Sequence, residues 1–290
     1  MRRFRWTEWI LTAPPLLWLI AFFALPTGLI LLLSFRSAAV HGGIGPEWTL
    51  NTWKSLADPV YPAIIWRTLW LSAACTGACI AMGLPVAYWI ARLPRRVRSW
   101  ALLLIILPFW TNFLIRIFAW RTLLHPDGAL KALLVWLGLA EVNDQLLYNQ
   151  WAVLLVLVYT HLPFAILPLY AAAERFDFGL LDAARDLGAT RGQAFARVFV
   201  PGVRVGMLTA LLIVFIPALG SYAIPELVGG PGSEMIGNKI AQRIFNDRNL
   251  PLASALSVVL AVAVFLPLML GVWLRKRLGD GLVSRGGHLS

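Results

Sequence analysis

The stretch DAARDLGATRGQAFARVFVP, Asp182 to Pro201, is polar, basic and rich in small residues, in a chain that is otherwise mostly apolar. Helix-forming residues extend from Leu180 to Leu187, and Gly188 follows at the position where helices often end in a left-handed conformation. Thr190, with Gln193 three residues later, predicts a capping box at the start of a second helix. The stretch therefore predicts two short helices in one structured loop.

The second helix is expected to have one apolar side and a defined end. Phe195, Val198 and Phe199 are spaced i, i+3, i+4, which places them on a single stripe. Pro201 is expected to end the helix, because a proline in a helix interior loses a hydrogen bond and clashes with the preceding turn. The apolar stripe is then available to pack against the rest of the chain.

The first helix is almost bare on one side, since Ala183, Ala184 and Gly188 carry little or no side chain. A bare face lets the backbone or an aromatic ring of another protein come close. The whole loop, residues 174–204, is called the motif loop below, and a loop of this length usually has a function. The alternative is an ordinary helical loop that only connects two membrane spans.

The spacing in the motif loop resembles the coupling signature of ABC-importer permeases: Glu-Ala-Ala, three residues, Gly, nine residues, Ile, one residue, Leu-Pro. Asp, Val and Val stand here in place of Glu, Ile and Leu, and the spacing is unchanged. The resemblance implies that the loop enters a cleft of an ATPase subunit and passes the closure of that cleft to the membrane helices. The residues that it assigns to ATPase coupling are Asp182, Ala183, Ala184, Gly188 and Pro201.

The composition indicates a membrane protein. Of the 290 residues, 59% are hydrophobic and only 13% are charged, whereas soluble domains are about half apolar and about a quarter charged. The net charge of +11 comes from basic residues that cluster at the ends of apolar segments. This placement favours orientation in a bilayer over nucleic-acid binding.

Six segments are long and apolar enough to cross the hydrocarbon core, which takes about twenty residues of helix. The expected fold is therefore all-α, a polytopic membrane protein with six transmembrane helices. Several of these segments contain prolines, which membrane helices tolerate, and kinks are expected there. The expected spans are residues 9–33, 63–90, 101–124, 151–170, 205–225 and 252–274.

The distribution of basic residues predicts the orientation. Sixteen Lys and Arg lie in the N-terminal tail, the loop after span two, the motif loop and the C-terminal tail, against six in the alternate loops. By the positive-inside rule, both termini and the motif loop are expected to face the cytoplasm. The expected organisation is a tail, first span and extracytoplasmic loop (1–62), a permease core that includes the motif loop (63–274), and a cytoplasmic tail (275–290).

Spans three and four carry polar groups that are expected near mid-depth. Trp110 and Asn112 follow Pro108 in span three, and Tyr159 and His161 lie in span four. Polar groups at this depth are costly and tend to face a cavity or a partner. We therefore take them as candidates for a translocation path, with hydrogen bonds between helices as the alternative for Asn112 and His161.

The end of span five, Phe215 to Gly230, combines prolines and glycines that interrupt a helix with Tyr222 and Glu226. An aromatic face and a carboxylate together hold a multiply charged amine, through cation–π attraction and a charge-assisted hydrogen bond. An aromatic residue and an acid at the membrane surface are the alternative interpretation.

The block Gly-x-x-x-Ile-Pro-Glu-Leu-x-Gly-Gly that ends at Gly230, its continuation to Ala255, and residues 107–116 closely resemble permease subunits of the spermidine/putrescine family. The resemblance implies a type I ABC-importer permease fold in the cell inner membrane and a polyamine as cargo. It implies as partners a second permease subunit, a dimer of ATP-binding subunits and a periplasmic substrate-binding protein. Ser221 joins the path candidates, because some relatives carry an acidic residue there.

Several motifs are missing from the sequence. There is no Gly-x4-Gly-Lys-Ser/Thr loop to hold phosphates, so ATP is expected to be bound by the partner ATPase and not by this chain. We identify no catalytic, cofactor-binding or metal-binding residue. The alternatives are an ABC permease for another small cationic or organic solute, an ion-coupled secondary transporter, which would usually contain inverted repeats and an intramembrane carboxylate, and a membrane-embedded hydrolase.

Overall fold

The computed structural model describes residues 6–39, 42–139, 141 and 143–285. Within these ranges the chain is mostly helical, as predicted, with one small antiparallel hairpin. Short π-helical turns occur at Ile20–Ala24 and Phe195–Phe199, and 3-10 turns occur at Leu107–Trp110 and Pro231–Ser233. The elements are α1 (Trp6–Leu19), α2 (Leu25–Leu33), β1 (Arg36–Ala38), β2 (Ile44–Trp48), α3 (Asn51–Ser55), α4 (Val60–Arg92), α5 (Arg95–Ile106), α6 (Phe113–Leu124), α7 (Ala129–Trp136), α8 (Gln150–Glu174), α9 (Gly179–Asp186), α10 (Arg191–Ala194), α11 (Val200–Gly202), α12 (Arg204–Leu219), α13 (Ala223–Val228), α14 (Ile236–Phe245) and α15 (Leu250–Arg285).

The chain divides into two compact units, residues 1–62 with 239–290, and residues 63–238. In the first unit, α2 packs against α15, and the hairpin of β1 and β2 packs with α3 on the same helix. The backbone N–H of Gly43 donates a hydrogen bond to the Arg248 carbonyl at 2.6 Å, which ties the hairpin to the start of α15. The second unit contains the motif loop and all the predicted site residues.

The core of the second unit is formed along α8 and α12. Buried residues of α8 face buried Ala210 and Val214 of α12. At Gly206 of α12, an added Cβ would lie 2.5 Å from the Ala172 Cβ and 2.8 Å from the Pro168 carbonyl oxygen. The two helices therefore meet almost backbone to backbone, the mode of packing that small residues allow in a bilayer.

The apolar helices coincide with the predicted spans, but not all of them are straight. Three unbroken segments are long and apolar enough to cross a membrane: Leu11–Leu33, Val60–Arg92 and Gln150–Glu174. Two further segments are bent pairs, Arg95–Trp110 with Phe113–Trp136 at 89° and Arg191–Gly202 with Arg204–Leu219 at 71°. A shorter apolar segment, Leu250–Leu266, belongs to α15, which continues to Arg285 and so extends the predicted sixth span.

The third span, expected over residues 101–124 with a kink at its proline, is divided into two helices, α5 and α6. Pro108 lies in the 3-10 turn Leu107–Trp110, and Thr111 and Asn112 then leave the helical conformation. The Asn112 side chain caps the new helix α6 by accepting a hydrogen bond from the Leu114 N–H at 2.8 Å. Span five also ends earlier than predicted, at Leu219, because Gly220 and Ser221 leave the helix and Pro225 lies in the separate α13.

The contact at Gly206 can be tested against a second helical glycine. We expect Gly206→Ala to lower the thermal unfolding midpoint of the purified protein, because separating α8 from α12 costs about 1–3 kcal/mol, the usual cost of overpacking. Gly77 in α4 is the matched control, since a Cβ there meets no atom within 4 Å. Equal midpoints for Gly206→Ala and Gly77→Ala would contradict the proposed close packing.

Candidate functional site

The first helix of the motif loop, α9, ends in the glycine turn that the sequence predicts. Gly188 has a φ of 91°, its N–H donates to the Arg185 carbonyl at 2.9 Å, and the Ala189 N–H donates to the Ala184 carbonyl at 3.0 Å. These two bonds form a Schellman motif, which satisfies carbonyls that the helix end leaves open. A Cβ at Gly188 would meet no atom of the chain within 4 Å, so the need for glycine comes from the backbone conformation.

The second helix begins at the predicted capping box. The Thr190 hydroxyl accepts from the Gln193 N–H at 3.3 Å, and the Gln193 side chain accepts from the Thr190 N–H at 2.9 Å. The helix ends at Gly202, one residue after the predicted end at Pro201. A π-helical turn over Phe195–Phe199 precedes the proline, and this wider turn changes the backbone pairing that a proline in a regular α-helix would disrupt.

The exposed residues of α9 are mostly polar or small, and Leu180 is the large apolar exception. Asp182 and Ala183 are exposed, whereas Ala184 is half-buried against the core. Leu187 is 90% exposed, directly before the glycine turn. An open groove of about 610 Å³ runs between the two helices of the loop; its lining residues are Asp182, Arg185, Asp186, Ala189, Thr190 and Arg191. The loop therefore presents a small, bare surface with a projecting leucine.

The opposite side of the motif loop is held by an aromatic cluster of Tyr88, Phe176, Phe178, Phe195 and Phe199. Phe199 is fully buried, stacks on Phe195 at 5.2 Å and meets Phe176 edge-on at 5.3 Å. Such pairs contribute about 0.5–1.5 kcal/mol each beyond the apolar area they bury. The predicted apolar stripe of the second helix therefore packs onto α4, which carries Tyr88.

An ion pair fixes the start of the motif loop. Arg98 Nη1 lies 2.7 Å from Glu174 Oε1 at the end of α8. Arg98 Nη2 also donates to the carbonyls of Ala91 and Leu93, at 3.2 Å and 3.3 Å. Both charged side chains are partly exposed, so solvent screens the pair and it contributes little to stability. Its main effect is to join the ends of α4 and α8 to the start of α5.

The proline–glutamate segment, residues 220–238, contains three predicted path residues. Ser221 is half-buried, and Tyr222 is 44% exposed. Glu226 is exposed, and its Oε2 accepts a hydrogen bond from Asn238 Nδ2 at 2.7 Å. The same Asn238 nitrogen donates to the Tyr222 carbonyl at 3.2 Å. One amide therefore holds the backbone of Tyr222 and the carboxylate of Glu226 together.

Asn238 was not among the site residues predicted from the sequence. Its side chain is buried, and its Oδ1 accepts from the Met235 N–H at 3.2 Å, so all three of its hydrogen bonds organise this segment. Thr68 of α4 holds the same region from the other side by accepting from the Ile236 N–H at 2.8 Å. The one available signal was the position of Asn238 within the family-like block, which does not reveal its partners.

The predicted residues in spans three and four have other surroundings. Trp110 is 76% exposed, and Asn112 is exposed and caps α6. Tyr159 packs edge-on against Trp120 at 5.2 Å. His161 is buried, and its Nδ1 lies 2.8 Å from the Leu157 carbonyl of its own helix, so this bond is not between helices.

The predicted path residues are not one cluster. Within the part of the chain that the structure describes, no hydrogen bond or ring contact joins those four residues of spans three and four to Tyr222 or Glu226. The structure thus joins Tyr222, Glu226 and Asn238 by hydrogen bonds, and α13, which carries Glu226, packs against α6 and α8.

A polytopic membrane permease is the class of protein that these features define, because the described chain has several apolar helices of spanning length and a loop that carries the coupling spacing. The model of the family described as "binding-protein-dependent transport system inner membrane component" matches residues 83–282. The chain belongs to this family, and it is a multi-pass protein of the inner membrane.

Curated relatives share most of their length with this chain. The spermidine/putrescine transport system permease protein PotB of Escherichia coli K12 is 36% identical over 261 residues, which cover 90% of this chain and 94% of the relative. The protein of the same name from Haemophilus influenzae is 36% identical and covers 86% and 87%. The inner membrane ABC transporter permease protein YdcU of E. coli is 32% identical and covers 81% and 78%.

Two solved structures share the fold. The bacterial ABC transporter involved in the import of the acidic polysaccharide alginate superposes with a TM-score of 0.71 and 19% identity, over 94% of this chain and 96% of that chain. The MetNI methionine ABC transporter superposes with a TM-score of 0.54 and 20% identity, over 76% and 98%. These similarities confirm the type I ABC-importer permease fold.

The glycine turn of the motif loop leads to a test of backbone strain. A side chain at φ near 91° costs about 1–2 kcal/mol, and asparagine tolerates this region better than branched residues. We expect Gly188→Val to increase hydrogen exchange over residues 184–194 much more than Gly188→Asn. If both variants exchange like the unmodified protein, Gly188 is not required for the turn.

Proposed function

We propose that this chain is the membrane-spanning permease subunit of an ATP-driven importer, that it forms the translocation path for a polyamine such as putrescine or spermidine, and that it is driven through the motif loop. The observation that carries the proposal is the motif loop itself: it keeps the coupling spacing, folds into two capped helices and exposes Ala183 and Leu187. The chain performs no catalysis and binds no cofactor; a partner subunit binds and hydrolyses ATP.

The exposed face of α9 supports the coupling role of Asp182 and Ala183, and Ala184, Gly188 and Pro201 are the further coupling residues of the proposal. A leucine that is 90% exposed beside small residues fits a pocket of another protein, because burying a leucine there removes a large apolar surface from water. The aromatic cluster on the buried side of the loop also supports the coupling role, since it lets the loop move together with the helices on which it packs. ATP binding would close a pair of ATPase subunits around this face.

The orientation follows from charge. With both termini and the motif loop in the cytoplasm, sixteen basic residues lie on the cytoplasmic side and six on the other. This orientation brings the motif loop to a cytoplasmic ATPase dimer and the proline–glutamate segment to the side of a periplasmic substrate-binding protein. A second permease subunit would complete the path.

Polyamine transport is supported by the relatives and by the chemistry of the proline–glutamate segment. Glu226 keeps one carboxylate oxygen without a hydrogen-bond partner among the described residues, and the half-exposed Tyr222 lies four residues away. Such a pair suits an alkyl-ammonium group, through a charge-assisted hydrogen bond and cation–π attraction. Trp110, Asn112, Tyr159, His161 and Ser221 remain further candidates for the path.

An ion-coupled transporter is the competing class. Such transporters usually carry a carboxylate deep in a span. The sequence has no Asp or Glu within residues 9–33, 63–90, 101–124 or 151–170, and span five has none before its interruption at Gly220. A permease for another small cationic or organic solute remains the alternative within the same family.

The coupling role can be tested at Ala183, which is exposed and lies in a regular helix, so its replacement avoids the strain that substitution of Gly188 would add. In the complete complex, we expect Ala183→Trp to remain inserted in the membrane and to lose about tenfold or more of ATP-dependent uptake, because the bulky ring blocks close docking. The amount of ATPase subunit that copurifies with the variant, and the rate at which it hydrolyses ATP, show whether docking has been lost.

Ala132→Trp is the matched control, since it places the same side chain on an exposed helical alanine of α7, outside the motif loop. It should leave ATPase copurification and uptake unchanged. Wild-type uptake by Ala183→Trp, or uptake by wild-type complexes that contain no ATPase, would overturn the proposed coupling.

The cargo can be tested at Glu226. Glu226→Gln keeps an oxygen that accepts from Asn238 and removes only the charge, so the fold of the segment should persist. We expect the polyamine concentration for half-maximal uptake to rise about tenfold, the effect of losing one charged hydrogen bond. Labelled putrescine, spermidine and an unrelated amino acid are compared in the complete complex.

Glu141→Gln, at an exposed acid outside the proline–glutamate segment, should transport like the wild type. An unchanged concentration dependence for Glu226→Gln would remove Glu226 from the path. Uptake of the amino acid in preference to both polyamines would contradict the assigned substrate class.

A further inference from the structure

Tyr88, near the end of α4, contacts three separate aromatic rings of the motif loop. Its ring lies edge-on to Phe199 at 5.0 Å, to Phe195 at 5.4 Å and to Phe178 at 5.9 Å. In the described ranges of the chain, every ring-to-ring contact between α4 and the motif loop passes through this tyrosine. Tyr88 is therefore the aromatic link between the loop and span two.

The surroundings of Tyr88 hold its ring in one place. Arg92, one turn further along α4, donates from Nη1 to the Tyr88 hydroxyl at 2.6 Å. The same guanidinium lies over the Tyr88 ring at 5.3 Å and over the Phe178 ring at 5.7 Å. The hydroxyl is bonded and the ring has neighbours on several sides, so Tyr88 has little freedom to turn away when the loop moves.

The loop side of the contact is equally tight. Phe199 is fully buried, and Phe176 lies so close to Gly202 that any Cβ at that position would collide with its ring. Interiors packed at this density transmit displacement, because their side chains have few alternative positions. A shift of the second loop helix must therefore move Tyr88, or break its edge-on contacts.

We propose that Tyr88 is the positioning residue through which displacement of the motif loop reaches α4, so that ATPase closure moves span two together with the loop. This inference rests on the proposed function. Tyr88 touches neither ATP nor cargo; it acts through the loop. Its aromatic ring, and not its hydroxyl, carries most of the effect, since the ring makes all three contacts with the loop.

The test compares Tyr88→Ala and Tyr88→Phe in the complete reconstituted complex, with cargo uptake and ATP hydrolysis measured in the same vesicles. We expect Tyr88→Ala to hydrolyse ATP and to move about tenfold less cargo per ATP, within the usual range of coupling between sites. Tyr88→Phe keeps the ring and should move nearly as much cargo per ATP as the wild type. Trp66→Ala, at a 72% exposed aromatic of the same helix, is the control and should match the wild type.

The outcomes separate the inference from the proposed function. If the wild-type complex shows no ATP-driven uptake, the proposed function fails. If the wild-type complex shows ATP-driven uptake and Tyr88→Ala moves as much cargo per ATP, the role of Tyr88 is overturned. The coupling role of the motif loop is then unaffected. If Tyr88→Ala does not assemble, Tyr88→Leu, which keeps apolar volume without a ring, is measured instead; a wild-type ratio in that variant overturns the role equally.

Discussion

The structure depends on one constraint: backbone N–H and C=O groups in hydrocarbon must find partners within the protein. The chain meets it with long helices, and a side chain caps the backbone at one of their interruptions. The third span bends where Asn112 caps the helix that follows. The helix of the motif loop passes Pro201 after a π-helical turn at Phe195–Phe199. In the described chain, both of these features lie at identifiable residues.

The motif loop divides its two sides between two tasks. Its outward side is small and polar, with Leu187 projecting from it, and its inward side is aromatic and buried. Aromatic rings have few rotamers and prefer defined edge-on arrangements, which suits a rigid connection better than flexible aliphatic chains. A partner can therefore bind the outward side without loosening the inward side. In the proposed mechanism, the loop therefore moves as a rigid body together with the helices on which it packs.

The proline–glutamate segment shows how a polar site is kept ordered beside apolar helices. Its helix breaks free several backbone groups, and the buried Asn238 uses its amide to bind the Met235 N–H, the Tyr222 carbonyl and the Glu226 carboxylate. A buried amide with all these bonds made is rigid, because breaking any of them leaves a polar group without water. Glu226 thus has a defined position, and its second carboxylate oxygen has no hydrogen-bond partner among the described residues.

The sequence by itself determined the membrane class, the apolar spans, the family and the two capped helices of the motif loop. Hydrophobic length, charge placement and capping signals act locally, so they are readable along the chain. Only the tertiary structure decided that Tyr88 meets the loop, that Asn238 orders Glu226, and that His161 bonds within its own helix. These contacts depend on which helices become neighbours. The spacing of residues along one helix does not predict which side chain of another helix will lie opposite.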